Sequence, residues 1–313
     1  MLRFGFTYCF FKLMLILSGL LFVVSCSHYS SRRYATSNLN ITINHCSFIG
    51  ITDSNNGGAL NVDTTSESCF VFNCVFERIS GNDGGAVYIS AFNAFTKNCM
   101  FAFCNGHIGS CEYTIANGGN NQINASVFDS CVASNCCGWI FKYGQCLAFM
   151  INSTRCYCPN REPTGHFGWA PPFAYGLHLI FIHNTGKSVF SPQSSNLDVS
   201  LFESMIFSNN TSMDLGVINV YYSQCNFICC LFSMNTGIIF SHTLNQMCLF
   251  LNCAFLEKTY PTLLNYSNCE FFVTQSMPLL INFPSQCLTF IKTNTHSTTF
   301  YNMFVSYLSI LLL

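Results

Sequence analysis

Apolar and variable positions alternate along the stretch 69–90, as they do in a strand that buries one face. The apolar positions of its first half are Phe70, Phe72, Cys74 and Phe76. Asn-Asp-Gly-Gly follows at 82–85, and these residues tolerate positive φ and a close approach of two backbones. A second short apolar strand is predicted over 86–89. The stretch therefore predicts a strand, a tight turn and another strand.

The same order of parts recurs along the chain. The offset from Cys46 to Cys74 is 28 residues, and that from Gly58 to Gly85 is 27. Later copies of the Cys46 position are assigned to Cys99, Ser126, Ser204, Cys230 and Cys253. A second cysteine stands five residues before the repeat position at Cys69, Cys225 and Cys248. Periods of this length indicate a solenoid, and short strands with glycine turns favour β repeats over helical ones.

We predict an all-β chain folded as a right-handed parallel β-helix of roughly 9–10 coils, each of about 21–28 residues. Side chains at equivalent positions of successive coils then stack into ladders. The predicted inward ladder consists of Cys46, Phe48, Cys74, Phe76, Cys99, Phe101, Cys230, Phe232, Cys253 and Phe255. The predicted glycine turns are Gly57, Gly58, Gly84, Gly85, Gly138, Gly216 and Gly237.

Two details of the stack are predicted from the repeat. The glycine pair forms a tight corner, so Gly85→Val should destabilise the chain more than Gly144→Val. Asn73 and Asn98 directly precede ladder cysteines, so their amides are expected to hydrogen-bond along the axis of the stack.

Four segments are expected along the chain. Residues 1–26 hold basic residues and then an apolar run, which indicates a signal peptide or a signal anchor that is not removed. Residues 27–40 form a polar N-terminal cap, and 41–292 form the β-helix. The proline-containing stretch 146–192 loses the repeat and predicts an irregular insertion, which is either a binding loop or a degenerate repeat. Residues 293–313 form a C-terminal cap or a short apolar anchor.

The amino-acid composition limits the kinds of partner and surroundings that are expected for the chain. Charged residues make up 8% of the chain and the net charge is −1, so nucleic acid is not an expected partner. Polar surface comes mainly from Asn, Ser and Thr, which favours a glycosylated extracellular surface. Candidate N-glycosylation sites are Asn40, Asn124, Asn152, Asn209, Asn210 and Asn265. Membrane attachment would use the apolar residues 300–313, which are fewer than the roughly 20 of a spanning helix, or an uncleaved signal segment.

The chain has 21 cysteines, which favours oxidising surroundings. At ladder positions we expect buried thiols in preference to disulfides, because stacked cysteines pack as small hydrophobic side chains. At adjacent or turn positions we expect disulfides, whose pairing cannot be read from sequence. The cysteines of this second group are Cys136, Cys137, Cys156 and Cys158.

Two motifs resemble the repeats of the chlamydial polymorphic outer-membrane proteins and of related parabasalid surface proteins. Gly-Gly-Ala-[Leu/Val] stands at 57–60 and 84–87. Phe-x-x-Asn stands at 70–73, 95–98, 207–210 and 232–235, and the last two copies lie in a different phase of the repeat from the first two. The resemblance is best over 41–142. It implies a right-handed parallel β-helix that is displayed on a cell surface and serves in adhesion.

Parallel β-helices also occur as polysaccharide lyases and glycoside hydrolases, which need clustered carboxylates with basic partners. The 13 acidic residues are scattered, and Asp53 and Asp83 are better explained as turn residues than as a stacked pair. Cys156, Cys158 and His166 resemble metal ligands, but a fourth ligand is missing and a loop disulfide is favoured. We therefore predict no catalytic residue, metal or cofactor.

The expected function is that of a secreted or cell-surface β-helix protein, which mediates adhesion to an extracellular protein or glycan of host cells or matrix. A polysaccharide lyase or glycoside hydrolase is the alternative.

Overall fold

A computed structural model of the chain describes residues 21–25, 28–36, 39–136, 138–160, 165–167, 174–192, 199–220, 224–242, 248–257, 266–267 and 270–273. These residues form short β-strands joined by tight turns, and there is no helix among them.

The strands follow one another along the whole described chain. Those of the first half are β1 (Leu21–Ser25), β2 (Arg33–Thr36), β3 (Asn40–Asn44), β4 (Ser47–Ile49), β5 (Leu60–Phe72), β6 (Val75–Glu77), β7 (Val87–Lys97), β8 (Met100–Ala102), β9 (Asn105–Ile108), β10 (Glu112–Ala116), β11 (Asn120–Asn124), β12 (Val127–Asp129), β13 (Val132–Cys136), β14 (Trp139–Lys142) and β15 (Gln145–Thr154). Those of the second half are β16 (Tyr157–Cys158), β17 (Gly165–Phe167), β18 (Ala174–Ile182), β19 (Thr185–Pro192), β20 (Val199–Glu203), β21 (Ile206–Ser208), β22 (Thr211–Val220), β23 (Gln224–Ile228), β24 (Leu231–Ser233), β25 (Phe240–His242), β26 (Cys248–Leu251), β27 (Ala254–Glu257), β28 (Tyr266–Ser267) and β29 (Glu270–Val273).

Strands of successive coils pair in parallel. One column begins where Phe48 of β4 pairs with Phe76 of β6, and it ends where Phe255 of β27 pairs with Phe271 of β29. Its ten strands are β4, β6, β8, β12, β15, β18, β21, β24, β27 and β29. The prediction of an all-β parallel β-helix is confirmed.

The ten residues of the predicted Cys/Phe ladder point into the interior, and each is at most 2% exposed. The ring centroids of Phe48 and Phe76 are 5.0 Å apart, and those of Phe232 and Phe255 are 4.7 Å apart. These distances are close to the separation of neighbouring strands, so each ring stacks on the ring of the next coil. In-register pairing therefore converts one apolar repeat position into a continuous core.

The aromatic ladder is interrupted once, where Ser153 of β15 takes the place of a phenylalanine. The indole of Trp139, which enters from β14, fills the space. Its ring centroid lies 5.0 Å from that of Phe128 and 6.0 Å from that of Phe181. The interior thus stays packed at the coil that lacks the repeat residue.

From β4 to β24, each inward segment of this column lies between two corners where the backbone has positive φ. The non-glycine residues of the first corner are His45, Asn73, Asn98, Ala125, Met150, His178, Ser204, Cys229 and Asn252. Those of the second corner are Arg78, Phe103, Ser130, Arg155, His183, Asn209 and Met234. The left-handed region costs an L-residue about 1–2 kcal/mol, so stacking of the coils must hold these corners in place.

The corners correct the repeat position assigned to Ser204. Ser204 has a φ of 53° and lies at a corner, whereas the inward residue that aligns with Cys230 is Met205, which is 0% exposed. The pairing of Phe207 with Phe232 fixes this register. The sequence assignment was one residue too early, because residue 204 is a serine like the repeat residue Ser126.

The expected amide ladder forms on the outside of the first corner. Asn73 donates its Nδ2–H to Oδ1 of Asn44 at 2.9 Å, and Asn98 donates to Oδ1 of Asn73 at 3.1 Å. Asparagine also suits the left-handed backbone at this corner. The first two Phe-x-x-Asn copies therefore supply exposed corner residues.

The last two Phe-x-x-Asn copies supply a different ladder, inside the stack. Asn210 and Asn235 are 0% and 3% exposed and stack with Asn184. The backbone N–H of Asn184 donates to Oδ1 of Asn210 at 2.9 Å, and Nδ2 of Asn210 donates to the carbonyl of Phe181 at 2.9 Å. Each amide thus satisfies the buried backbone of neighbouring coils, so these copies are a second structural use of the same motif.

Replacing Asn210 by alanine should lower the free energy of unfolding by about 2–3 kcal/mol, because it leaves the Asn184 N–H and the Phe181 carbonyl buried without these partners. Chemical denaturation measures the loss. The control is Asn44→Ala, which removes an exposed amide acceptor and should cost about 0.5–1 kcal/mol. Equal losses in the two variants would contradict the buried ladder's role.

The predicted glycine turns lie at the corner that precedes β5, β7 and their equivalents. Positive φ values occur at Gly57, Gly84, Gly138, Gly216 and Gly237. Gly58 and Gly85 instead lie against backbone of the neighbouring coil. A Cβ on Gly85 would be 2.3 Å from the carbonyl oxygen of Asn105 and 2.4 Å from that of Ser110.

The stretch 146–192 differs from the irregular insertion expected from its sequence. Its strands β15, β18 and β19 continue the columns, and Cys146 of β15 pairs with Ala174 of β18. Met150 and His178 occupy the left-handed corner with φ values of 52° and 58°. At the ladder positions of this stretch Ile151 and Leu179 stand in place of cysteine and Ser153 in place of phenylalanine, so the sequence lacks the pattern that marks the preceding coils.

The described residues cover parts of the predicted ends. Within the predicted signal peptide 1–26, Leu21–Ser25 form β1, which pairs with β3. Within the predicted cap 27–40, the ring of Tyr29 stacks on that of Phe48 with centroids 4.9 Å apart. The predicted C-terminal segment 293–313 lies outside the described residues.

Candidate interaction face

Five large apolar side chains are exposed on two adjoining faces of neighbouring coils. Met100 pairs with Val127 across β8 and β12, and Val132 pairs with Tyr157 across β13 and β16. Phe103 lies at the corner between the two faces, with a φ of 55°. The exposed fractions are 41% for Met100, 55% for Phe103, 38% for Val127, 41% for Val132 and 42% for Tyr157. We call these five residues the apolar face.

An ion pair lies within the apolar face. Nη2 of Arg155 is 2.6 Å from Oδ1 and 2.7 Å from Oδ2 of Asp129, and Nε donates to Oγ of Ser130 at 3.2 Å. The hydroxyl of Thr154 also donates to Oδ1 of Asp129 at 2.7 Å. An exposed pair contributes at most about 1 kcal/mol to stability. Its main effect is to fix the guanidinium, which is 63% exposed, beside the apolar side chains.

The apolar face follows from the alternation of very short strands. Phe101 and Phe128 take the middle, inward position of β8 and β12, so the first residue of each strand points outward. In other coils the same position holds Ser47, Val75, Asn152, Ile180, Ile206 or Leu231, and Ile180, Ile206 and Leu231 are at most 2% exposed. Sequence analysis missed the face because an apolar residue at this position is exposed in some coils and buried in others. Repeat spacing does not distinguish the two cases.

The acidic residues considered for catalysis do not come together. Backbone bonds place Asp53 beside Ser80 and Asp83 beside Gly57, so the two aspartates occupy different positions of the coil. Oδ1 of Asp53 accepts hydrogen bonds from the backbone N–H and the side-chain amide of Asn55, which lowers the pKa of Asp53. Burial raises the pKa of Asp83. Asp53 thus has the turn role that its sequence predicted.

Two pairs of opposite charges are adjacent in the sequence, Glu77–Arg78 and Glu257–Lys258. Nη1 of Arg78 lies 2.9 Å from Oε1 of Glu77 in an exposed pair. Of the pair Glu257–Lys258, the lysine lies outside the described residues. Among the described residues, the His, Cys, Asp and Glu side chains form one group that could hold a metal, and it consists of thiols.

The sequons differ in accessibility. Asn210 is 0% exposed and both sides of its amide are bonded, so a glycan on its Nδ2 is incompatible with this fold. Asn40 uses Oδ1 to accept the backbone N–H of Ser68 at 3.0 Å. Asn124, Asn152 and Asn209 are partly exposed, and Asn265 lies outside the described residues.

The described cysteines that were expected to form disulfides are thiols in the structure. Cys136, Cys156 and Cys158 are buried thiols, and Cys137 lies outside the described residues. Cys156 and Cys158 point inward near β16 because the strand pattern continues through this segment. His166 lies in β17, and its side chain is outside the described part of the chain. Cys229 is disulfide-bonded.

A buried carboxyl group lies in the interior. Glu112 of β10 takes the inward position that Val87 occupies in β7 and Trp139 in β14. It is 1% exposed, Oε1 accepts the hydroxyl of Thr96 at 2.8 Å, and Oε2 has no hydrogen-bond partner among the described residues. Burial raises the pKa of Glu112 to about 8, against a smaller lowering by the Thr96 hydrogen bond. The group is therefore largely protonated at neutral pH.

Comparison of the chain with protein-family models, curated proteins and solved structures found no match. No helix of the described residues is long and apolar enough to cross a bilayer. The apolar face is thus the feature from which a function is argued.

Proposed function

We propose that the chain is a secreted or cell-surface β-solenoid that acts in adhesion and binds an extracellular protein through the apolar face. The observation that carries the proposal is the exposure of Met100, Phe103, Val127, Val132 and Tyr157 around the fixed guanidinium of Arg155. Apolar groups of this kind on a folded chain mark interaction sites.

The chemistry of the face favours a protein over a glycan. Tyrosine, phenylalanine, methionine and arginine are the residues enriched at the centres of protein interfaces. Paired strands hold four of the five apolar side chains, and ordered neighbours hold Arg155, so little conformational freedom is lost on binding. A glycan instead requires several polar groups around its ring hydroxyls, and Asp129 already uses its carboxylate within the chain.

Location outside the cell is supported by the sequence. The apolar N-terminal run and the partly exposed sequons at Asn124, Asn152 and Asn209 suit the secretory pathway. Protease treatment of intact source cells, followed by mass spectrometry, tests this location. Release of peptides from 41–290 is expected, whereas peptides found only after lysis would contradict it.

Substitutions in the face should weaken adhesion without unfolding the chain. We expect Tyr157→Ala and Phe103→Asn to lower affinity for cultured host cells at least tenfold, since interface aromatics commonly contribute about 2 kcal/mol. Asparagine is chosen at 103 because it tolerates the left-handed backbone. Flow cytometry with labelled, purified chain gives the affinities.

The matched control is Tyr34→Ala, which removes a tyrosine that is 63% exposed on β2, away from the face. It should bind like the unmodified chain. Pretreatment of the cells with protease should abolish binding and pretreatment with glycosidases should not. Loss of binding after glycosidase treatment alone, or unchanged binding by Tyr157→Ala, would contradict a protein partner at this face.

A further inference from the structure

We propose that Cys104, Cys111 and Cys131 form a binding site for a thiophilic d10 metal ion, Zn²⁺ or Cu⁺, inside the stack. Their three Sγ atoms lie within 4.8 Å of one another and the residues are at most 1% exposed. This site is separate from the apolar face and does not depend on the adhesion proposal.

The triangle of sulfur atoms arises from two different corners of the coil. Cys104 follows β8 and Cys131 follows β12, and the carbonyl of Cys104 accepts the N–H of Val132 at 2.9 Å, so the two thiols belong to one column of adjacent coils. Cys111 takes the place that alanine holds in the two preceding coils, at Ala59 and Ala86. It therefore brings a third sulfur from another wall of the interior.

The ladder of Cys46, Cys74 and Cys99 provides the contrast. These thiols also occur once in each successive coil, and each donates to carbonyl oxygens, as in Cys74 Sγ to the carbonyl of Phe72 at 3.1 Å. Among the described residues they are not part of a compact group of three ligand atoms. A column of thiols alone therefore does not bring three sulfur atoms together, whereas Cys111 adds the third sulfur to the column of Cys104 and Cys131.

The distances suit metal coordination. With metal–sulfur bonds of about 2.3 Å, tetrahedral geometry places two sulfurs about 3.8 Å apart. The separations of at most 4.8 Å therefore close with sulfur shifts of about 1 Å or less. A disulfide needs a sulfur separation of about 2.05 Å, which is a much larger movement for side chains on paired strands.

The donor set selects the kind of ion. Thiolates prefer Cu⁺ and Zn²⁺ over hard cations such as Ca²⁺ and Mg²⁺. Oγ of Ser110 lies 3.5 Å from Sγ of Cys111 and accepts the backbone N–H of Gly138 at 3.3 Å, so the three thiols are the donors that define the site. A cysteine binds such an ion as the thiolate, so each thiol that becomes a ligand releases its proton to solvent. Binding should accordingly weaken as the pH falls.

The sequence contained part of this signal. Cys104, Cys131 and Cys156 follow one another at repeat spacing, and Cys111 stands where the Gly-Gly-Ala motif has become Gly-Ser-Cys. The missing information was that these two positions approach one another across the interior.

Reduced full-length chain, titrated anaerobically with Zn²⁺ or with Cu⁺, tests the proposal. We expect one ion per chain by elemental analysis, sulfur neighbours at about 2.3 Å by X-ray absorption and a raised melting temperature. The variant Cys111→Ala, which restores the alanine of the neighbouring coils, should lose affinity at least tenfold. The control Cys74→Ala should bind like the unmodified chain.

If Cys111→Ala does not fold, as judged by circular dichroism, Cys104→Ile replaces it, because Ile79 holds the equivalent position one coil earlier. Three results would overturn the proposal: no ion bound by the folded, reduced chain; unchanged affinity in the cluster variant; or a disulfide within the cluster in chain purified without reductant. Binding of only one of the two ions assigns the site to that metal.

Discussion

Above pH 8 the Glu112→Gln variant should be more stable than the unmodified chain by about 3–5 kcal/mol. The carboxyl group of Glu112 is buried against Thr96 and has no cation beside it, so its ionised form is costly inside the stack. Glutamine keeps an oxygen that accepts the Thr96 hydroxyl and cannot ionise.

The raised pKa of Glu112 decides whether stability rises or falls with pH. Below about pH 4.5 Glu112 is protonated in both the folded and the unfolded chain, so its burial carries no ionisation cost. As the pH rises from 4.5 through about 8, the unfolded chain releases the proton first and the folded chain loses stability. The difference between the variant and the unmodified chain should therefore grow from near zero at pH 4 to its full value at pH 9.

Denaturant titrations of both chains at several pH values measure this difference. Other titrating groups contribute equally to both chains and cancel in the comparison. The control is Glu77→Gln, which changes a partly exposed carboxylate at the surface and should change the stability by about 0.5 kcal/mol or less. A constant offset between Glu112→Gln and the unmodified chain across the pH range would contradict an ionisable group in the interior.

Alanine at Gly85 should cost more than about 3 kcal/mol, whereas alanine at Gly50 should cost about 1 kcal/mol. A Cβ at Gly85 would be 2.3 and 2.4 Å from the carbonyl oxygens of Asn105 and Ser110, and both oxygens belong to the backbone of the stack. Neither can move without separating paired coils. Gly50 has a φ of 66° with nothing within 4 Å of an added Cβ, so its substitution measures backbone strain alone.

Thermal and denaturant unfolding of the two variants test this expectation. Gly144, the comparison residue chosen from sequence, is unsuitable, because its φ is 65° and an added Cβ would be 2.2 Å from the carbonyl oxygen of Gly119. Sequence could not distinguish the two sites, since crowding at a glycine depends on the neighbouring coil. Equal losses for Gly85→Ala and Gly50→Ala would contradict close backbone approach as the reason for the glycine pair.

The fold could be predicted because one inward position per coil is occupied by the same residue type. Phe48, Phe76 and Phe101 stack at the spacing of neighbouring strands, and their sequence period reports that stacking directly. The strands of the stretch 146–192 were not predicted, because the residue type at the inward positions changes there. Ile151 and Leu179 hold the position of the ladder cysteine, and Ser153 holds that of the phenylalanine, so the sequence period is lost.

The functional features were harder to predict than the fold. The apolar face depends on outward positions such as Phe103 and Tyr157, which differ from coil to coil because packing does not constrain them. The thiol cluster depends on an approach between Cys104 and Cys111 across the interior. Repeat period reveals which residues stack along the axis, but it does not reveal which columns face each other.

The fixed strand between two left-handed corners has a consequence for how such a chain can change in evolution. The step from Phe48 to Phe76 is 28 residues and that from Phe232 to Phe255 is 23, yet both pairs of rings stack. All of this variation in length is absorbed outside the three-residue strand. One residue gained or lost within the strand would turn its phenylalanine outward, whereas a whole coil can be duplicated or deleted and leave its neighbours in register. Viable changes in chain length should therefore occur as single coils or as small changes in the longer arms of a coil.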